Sequence, residues 1–287
     1  MSSVAEIRVF AEQIRLETIK EIATYGVGHI GGSMSVVELM AVLYGSELRH
    51  DPTNPSWEDR DRFVMSKGHA GPVVYATLAL RGYFPLEELS TLNQNGTRLP
   101  SHCDRLKTPG IDMTAGSLGQ GASAAAGMAY AGKILGKEFY TYTVLGDGES
   151  NEGQVWELAL FAPHHKLSRL IAFTDYNKQQ LDGATKDILD LGDMGAKYEA
   201  FGWHTQVVDG HDIEALLSAI REAKADERPS MIILNTIKGN GFKFAEERFP
   251  NHSLSFNMDG IADSLEIVEK RLADAKAKLE EEKGGIN

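Results

Sequence analysis

Acidic and amide side chains follow two β-rich runs of the sequence, at the points where each run ends. The run 141–145 stops at a Gly-Asp-Gly turn centred on Asp147, and the run 170–173 leads to Asn177. A helical segment at 156–161 separates the two runs, and parallel strands joined in this way bring their carboxyl ends to the same edge of a sheet. We therefore expect Asp147 and Asn177 to be neighbours.

A carboxylate and an amide oxygen side by side are hard oxygen ligands, which Mg²⁺ prefers. The adjoining Gly146 and Gly148 leave backbone that a phosphate can approach. Mg²⁺ usually combines one or two protein carboxylates with oxygens of a phosphorylated partner, so a metal here implies a diphosphate. A Gly-Asp-Gly tripeptide taken alone is more often only a turn, and asparagine is a common turn residue. The placement of both groups at neighbouring strand ends favours a site.

These residues, together with Glu152-Gly153 and Leu181-Asp182-Gly183, resemble the diphosphate-binding motif of thiamine-diphosphate enzymes, most closely that of transketolases. The resemblance implies that Mg²⁺ is held by Asp147, Asn177 and the backbone carbonyl of Gln179. It also implies that thiamine diphosphate is the cofactor and that Gly148 borders it.

The composition argues against several classes of protein. A chain of 287 residues with 42% hydrophobic composition is long enough for one large α/β domain, which we expect to span residues 1–287. A net charge of −12 leaves no basic surplus for binding nucleic acid or an acidic membrane. No apolar run approaches membrane-spanning length, and the first residues lack a secretion-signal pattern. Cys103 is the only cysteine, which fits a reducing cytoplasm.

Helical and apolar segments alternate along the chain. The pattern predicts an opening helix at 4–25, a glycine-dense loop at 28–33, and a helix through Leu43 that starts with a capping box at 35–38. Further elements are predicted as helices at 122–134 and 212–224 and strands at 203–208 and 230–236. This alternation predicts an α/β fold, with a mostly parallel sheet and helices on both faces. From residue 260 we expect a charged, surface or partner-facing helix that ends in a frayed tail at 280–285.

Histidines and glycines recur in the segments that connect these elements. His29 lies in the glycine-dense loop, His69 follows a short apolar strand, and His102 lies in a long irregular segment at 97–121. Most loop histidines have no special duty, whereas a residue just past a strand end is either a helix start or a ligand contact. A long irregular segment is usually either functional or disordered. The residues alone leave these alternatives open.

The resemblance to transketolases assigns roles to these residues. It implies that His29 and His102 contact the hydroxyls of the sugar and that His69 contacts the cofactor diphosphate. His252 matches a histidine near both the diphosphate and the substrate. The loop that lies by the thiamine in the family corresponds to Gly116, Ser117 and Leu118. The sequence departs from the family at Cys103, where proline is frequent, and at Ser253, where glycine is usual.

Three charged residues complete the candidate site. Lys238, beside glycines at the end of a strand, is either solvated or a source of positive charge for the cofactor. Glu152 and Glu157 match acidic residues at the transketolase dimer contact. They are equally well explained as acids near a helix N-terminus, where the helix dipole favours them.

The resemblance covers nearly all of this chain but only the diphosphate-binding portion of a transketolase. It implies an N-terminal subunit that pairs with a C-terminal subunit carrying the pyrimidine-binding domain, in an α2β2 heterotetramer. The implied reaction transfers a two-carbon ketol unit from a ketose phosphate to an aldose phosphate. His29, His102 and His252 are the implied catalytic residues, since a near-neutral imidazole suits proton handling.

Two other functions stay open at this point. One is the thiamine-dependent subunit of a 2-oxo acid dehydrogenase, which shares the Gly-Asp-Gly element. The transketolase-like surroundings of His29, His69 and His102 argue against it. The other is a binding or assembly module that keeps the fold without the chemistry.

Overall fold

The structure is a computed structural model that describes residues 2–181 and 183–285. Its strands are β1 (Val27–Gly28), β2 (Arg62–Met65), β3 (Thr141–Gly146), β4 (Leu170–Tyr176), β5 (Gln179–Gln180), β6 (Gly183–Ala184), β7 (His204–Asp209), β8 (Ser230–Asn235) and β9 (Leu254–Ser255). Its helices are α1 (Val4–Tyr25), α2 (Ile30–Met34), α3 (Val37–Val42), α4 (Gly71–Leu80), α5 (Gln120–Ile134), α6 (Gly153–His164), α7 (Thr185–Leu189), α8 (Met194–Phe201), α9 (Ile213–Ala225), α10 (Lys243–Glu246) and α11 (Ala262–Gly284).

A five-stranded parallel sheet lies at the centre, in the order β2-β3-β4-β8-β7. Parallel neighbours need crossover connections, and helices such as α5, α6 and α9 supply them. The last residues of the central strands are in register, with Gly146 beside Asp175 and Tyr176 beside Asn235. The segments that follow β3, β4 and β8 therefore leave the sheet at one edge.

Successive residues of each central strand face opposite sides of the sheet. In β4, Ile171 and Phe173 belong to one hydrophobic core, whereas Leu170 and Ala172 belong to a second. Helices α1, α3, α4 and α9 contribute to the first core, and α5, α6 and α8 contribute to the second. The predicted α/β class, with a parallel sheet covered on both faces, is confirmed.

The opening helix has the predicted bounds. Ser3 and Glu6 form a reciprocal capping box at its start, and Gly26 ends it in a left-handed conformation with φ 98°. The capping box predicted at 35–38 is wrong, because helix α3 begins after Val36 without a side-chain cap. The hydroxyl of Ser35 instead donates to the carboxylate of Asp175, at 2.7 Å. The Ser35 side chain thus makes a long-range contact and not the helix cap that the local pattern predicted.

Two further sequence expectations need correction. The segment 28–33 is not simply a loop, since α2 occupies residues 30–34. The frayed tail expected at 280–285 is helical as far as Gly284, and α11 packs along α1. Among the described residues, no helix is both long and apolar enough to span a membrane. Asp182, part of the Leu-Asp-Gly motif, lies outside the described residues.

Candidate active site

Asp147 lies at the tip of β3 and is held by the neighbouring strand tip. Its Oδ2 accepts hydrogen bonds from the backbone N–H of Lys178, at 2.6 Å, and from the hydroxyl of Thr185, at 3.1 Å. Its Oδ1 accepts from the N–H of Gly148, at 2.8 Å. The carboxylate is buried and fixed by these contacts, and Oδ1 retains a lone pair for a further ligand.

Asn177, at the tip of β4, has an equally defined orientation. Its Nδ2 donates to Oδ2 of Asp175, at 2.8 Å, and its Oδ1 accepts from the N–H of Gln179, at 3.1 Å. Asp147, Asn177 and Gln179 line one cavity of about 200 Å³. The structure therefore brings the three candidate metal ligands to the same place, as the strand order predicts.

Most of the other candidate cofactor residues line this cavity as well. They are His69, Leu118, Gly148, Lys238 and His252. Gly116 and Ser117 are exposed and do not line it, and Gly116 has φ 149°, which disfavours any residue with a side chain. The ring of His102 lies 3.6 Å from the position that a Cβ on Gly116 would occupy. The loop 116–118 thus lies between the cavity and His102.

Four histidines form a cluster at one side of the cavity. The ring of His29 lies 5.5 Å from that of His69, 5.4 Å from that of His102 and 5.1 Å from that of His252. The rings of His69 and His252 are 4.7 Å apart. The short antiparallel pairing of β1 with β9 fixes part of this arrangement, since it joins the residues beside His29 to those beside His252.

Burial keeps these imidazoles uncharged. It lowers the pKa of His252 to about 3, with help from the positive charge of Lys238. Burial and the charge of Lys67 hold the pKa of His69 well below its usual value. Burial also lowers the pKa of His29 and of His102. A neutral imidazole has one donor and one acceptor nitrogen, so the cluster can both bind hydroxyls and accept protons.

Lys238 is a cation that lines the cavity beside the histidine cluster. Its Nζ is 3.4 Å from Nδ1 of His252, and the side chain is only 3% exposed. Burial lowers its pKa to about 8, against the opposing effect of the Asp147 and Asp175 carboxylates. Asn251 holds the backbone of this lysine by donating to its carbonyl, at 2.9 Å. The Lys238 ammonium is therefore positioned to bind an anion in the cavity.

Without a bound cation, the negative charge of the Asp147 carboxylate is only partly offset by its surroundings. Burial and the nearby charge of Asp175 raise its pKa to about 6, although the hydrogen bonds from Gly148, Lys178 and Thr185 oppose the shift. A cation bound at this carboxylate would stabilise its charged form.

The donor set fits Mg²⁺ with a diphosphate. Asp147 and Asn177 offer hard oxygens, and the buried Oε1 of Gln179 has no hydrogen-bond partner among the described residues. Across residues 2–181 and 183–285, no group of three or more His, Cys, Asp or Glu side chains is arranged to hold a metal. An all-protein cage is therefore lacking there, and Mg²⁺ is typically bound by few protein ligands plus phosphate oxygens.

Three buried charged residues at this edge were missed from the sequence. Lys67 and Asp175 form an ion pair of 2.6 Å that is 1% and 0% exposed. Glu149 accepts from the N–H groups of Gly119 and Gly146, each at 2.9 Å, and so ties the loop before α5 to the tip of β3. The available signal was the presence of ionisable residues directly after buried apolar strands, where perturbed groups collect.

Glu152 and Glu157 are both exposed near the start of α6. Glu152 occupies the N-cap position without making a side-chain cap, and it also lines the cavity. Glu157 lies beyond the first turn of the helix, where the dipole has little effect. Dipole stabilisation therefore does not explain Glu157, and its exposed neighbour Leu160 extends the same surface.

The parallel sheet with helices on both faces is the fold of the thiamine-diphosphate-binding proteins. Residues 7–269 match the family model described as transketolase, thiamine diphosphate binding domain, and the chain therefore belongs to the transketolase family. A transketolase of Leishmania mexicana superposes with a TM-score of 0.85 at 31% identity, over 97% of this chain and 46% of that one. This chain thus spans less than half of that solved transketolase.

Separately encoded subunits match the chain over much more of their length. The 6-deoxy-6-sulfo-D-fructose transketolase subunit SqwG of Clostridium sp. (strain MSTE9) is 51% identical over 273 residues, which are 95% of each chain. An apulose-4-phosphate transketolase subunit of Actinobacillus succinogenes is 39% identical over 77% of this chain and 80% of its own length. The chain corresponds to the N-terminal subunit of a split transketolase, and the resemblance read from the sequence is confirmed.

Proposed function

We propose that this chain binds thiamine diphosphate and Mg²⁺ and, with a C-terminal partner subunit, transfers a two-carbon ketol unit from a ketose to an aldose. The observation that carries the proposal is the single cavity lined by Asp147, Asn177 and Gln179 together with Lys238 and His252. It combines hard oxygen ligands with a buried ammonium and neutral imidazoles. A metal-bound diphosphate needs the first two groups, and a sugar needs the third.

The roles at the diphosphate end follow from these contacts. Asp147, Asn177 and the carbonyl of Gln179 hold Mg²⁺. His69, Gly148 and the loop 116–118 surround the cofactor, and Lys238 contributes positive charge to the diphosphate. When bound, thiamine diphosphate supplies a nucleophilic carbon and an electron sink for the two-carbon unit.

The histidine cluster acts at the sugar end. His29, His102 and His252 donate to and accept from hydroxyl groups of the ketose and the aldose. Because these imidazoles are neutral, they can take up a hydroxyl proton as the sugar carbon–carbon bond breaks and return it as a new bond forms. The packing of their rings within 5.5 Å of His29 lets one sugar contact several of them.

The partner and the assembly are part of the proposal. The similar subunits carry names that imply a companion chain, and this supports a separately encoded C-terminal subunit with the pyrimidine-binding domain. We place the pair in an α2β2 heterotetramer of the cytoplasm, with residues 1–287 forming one domain. Glu152 and Glu157, exposed beside the cavity, are the proposed contacts between subunits.

The substrate is proposed as a sugar that carries an anionic terminal group. Ketose phosphates are one class, and the relative named for 6-deoxy-6-sulfo-D-fructose makes a sulfonated ketose a second class to test. The family match does not support the 2-oxo acid dehydrogenase alternative.

The test begins with affinity capture of the partner by the full chain. The purified pair is then assayed for two-carbon transfer with a panel of ketose phosphates and 6-deoxy-6-sulfo-D-fructose, each with aldose acceptors. Pyruvate with a dye acceptor serves as the control for 2-oxo acid oxidation. Transfer by the pair, and none by either chain alone, is expected. Oxidation of pyruvate, cofactor binding with no turnover of any sugar, or transfer by this chain alone would overturn the proposal.

A further inference from the structure

The carboxylate of Asp175 is the point at which four segments around the site meet. It is fully buried, and it accepts from Lys67 Nζ at 2.6 Å and from Asn177 Nδ2 at 2.8 Å. It also accepts from the hydroxyl of Ser35 at 2.7 Å and from that of Thr236. Lys67, Asn177 and Ser35 share Oδ2, and Thr236 donates to Oδ1.

Each donor is close in sequence to a residue of the proposed site. Lys67 precedes His69 by two positions, and Thr236 precedes Lys238 by two. Lys67 reaches a further segment, because its Nζ also donates to the carbonyl of Gly32 at 2.6 Å. Gly32 follows His29 by three positions in helix α2. One buried ion pair thus links the segments that carry the histidines, the lysine and the metal ligands.

The contact with Asn177 has a particular consequence, because the two ends of an amide are chemically different. A carboxylate can only accept, so Asp175 binds the NH₂ end of the Asn177 side chain. The oxygen end is thereby turned away, and Oδ1 accepts the N–H of Gln179 beside the cavity. With an ordinary rotation about its last bond, Asn177 would instead present its NH₂ group to a cation.

We infer that Asp175 is a positioning residue for the metal site, which holds the Asn177 amide with its oxygen toward the cation and is itself held by the ion pair with Lys67. The inference rests on the proposed function, since it concerns the same cation. Leucine at position 175 would be of similar size but would offer no acceptor, so Asn177 would lose the contact that fixes its orientation.

The removal of one charge from a buried ion pair is strongly destabilising, so the single Asp175→Leu variant is paired with a double variant that removes both charges, Lys67→Met with Asp175→Leu. Asp209→Leu is the matched control, because Asp209 also ends a strand of the same sheet but is exposed. Each variant is reconstituted with the partner subunit, and its folding is checked by circular dichroism.

The readout is the affinity of the pair for Mn²⁺, from the electron paramagnetic resonance signal of the free ion at saturating thiamine diphosphate. In the double variant we expect a dissociation constant raised about tenfold or more, the usual effect of losing a residue that orients a metal ligand. We expect kcat at saturating Mn²⁺ to fall less than the affinity. A residue with only a structural role would lower the fraction of folded protein and leave the Mn²⁺ affinity of that fraction unchanged.

Asp147→Ala separates this inference from the proposed function. If Asp147→Ala abolishes Mn²⁺ binding while the folded double variant binds Mn²⁺ like the unaltered protein, the positioning role of Asp175 is wrong and the metal site stands. If Asp147→Ala also binds Mn²⁺ normally, the metal assignment itself is wrong and the positioning role falls with it. An unaltered affinity in Asp209→Leu is expected; a loss there equal to that of the double variant would overturn the specific role of Asp175.

Discussion

The backbone N–H of Lys178 donates a hydrogen bond of 2.6 Å to the side chain of Asp147. This contact joins the segment after β4 to the segment after β3, so the position of the carboxylate is set by both strands. The hydroxyl of Thr185, from the start of α7, adds a third point of attachment. The proposed metal ligand is thus preorganised by backbone and by side chains that pack around it.

Replacement of Asp147 by alanine is expected to abolish metal-dependent cofactor binding in the reconstituted pair. Mutation of residues that merely orient metal ligands costs about 10–100-fold in affinity, so the loss of a charged ligand should cost at least about 100-fold. The measurement is a titration with thiamine diphosphate at fixed Mg²⁺, followed by protein fluorescence. Asp209→Asn, at an exposed strand end, is the control and should bind normally. Retained affinity in Asp147→Ala would contradict the metal assignment.

Metal binding should also depend on the protonation of this carboxylate. In the metal-free protein, burial raises the pKa of Asp147 to about 6. Protonation competes with the cation, so the Mg²⁺ affinity is expected to be constant above pH 7 and to fall about tenfold per pH unit well below pH 6. Isothermal titrations between pH 5 and 8 would show this. An affinity that does not change across this range would contradict the prediction.

The sequence predicted the strand tips because the signals there are local. A glycine turn follows the apolar run of β3, a polar segment with Asn177 follows that of β4, and the common edge follows from the parallel topology. The proximity of His29 and His252 has no local signal, because it depends on the two-residue pairing of β1 with β9. Only the family resemblance pointed to it.

The role of Asp175 was missed for a related reason. Its charge is hidden in an apolar strand, and its partners come from four separate segments of the chain. Ser35 shows the converse, since a capping pattern that fits locally is overridden when a buried carboxylate needs the hydroxyl. Local patterns thus locate elements, but the partners of buried polar groups depend on tertiary packing.

Replacement of Lys238 by methionine is expected to weaken cofactor binding. Methionine keeps much of the side-chain length but removes the ammonium, and a charge-assisted contact contributes about 1.5–3 kcal/mol, or roughly 10–150-fold in affinity. Lys243→Met, at an exposed position on α10, is the matched control and should have no effect. Equal affinities for Lys238→Met and the unaltered chain would remove this lysine from the site.

The pH dependence of cofactor binding offers a second check on Lys238. Burial lowers its pKa to about 8 in the ligand-free protein, so the ammonium is lost as the pH rises through that value. Since only the charged form attracts a diphosphate, the affinity should fall between pH 8 and 9.5 in the unaltered pair. Lys238→Met should lack this alkaline fall, and a fall of the same size in the variant would assign it to another group.

Replacement of His102 by alanine is expected to lower turnover and leave cofactor affinity nearly unchanged. His102 does not line the cavity of the strand tips, but its ring lies 5.4 Å from that of His29. The loss of one proton-handling group typically costs about 10²–10⁴-fold in rate. The comparison is kcat for the two-carbon transfer against the dissociation constant for thiamine diphosphate, with His165→Ala as a control outside the cluster. An unchanged rate in His102→Ala would exclude it from catalysis.

The burial of Glu21 is expected to affect the stability of the protein and not its catalysis. Glu21 is 2% exposed in α1, and neither carboxyl oxygen has a hydrogen-bond partner among the described residues. Burial, reinforced by Glu17, raises its pKa well above the usual value. The folded protein therefore binds this proton more tightly than the unfolded chain does, so stability falls as the pH rises above the unfolded pKa of about 4.5 and levels off above the folded pKa.

Glu21→Leu should accordingly raise the free energy of unfolding by about 1–3 kcal/mol near pH 7.5, because it removes an unpartnered buried polar group. The gain should be smaller at pH 4.5, where the carboxyl is protonated in the folded protein and about half protonated in the unfolded chain. Urea unfolding of the full chain at the two pH values measures both quantities. Glu17→Gln, one turn earlier and paired with Lys20, is the matched control and should change stability by less than about 1 kcal/mol. A variant no more stable than the unaltered chain at pH 7.5, or a gain that does not depend on pH, would contradict the assignment of Glu21 as a buried, unpaired carboxyl.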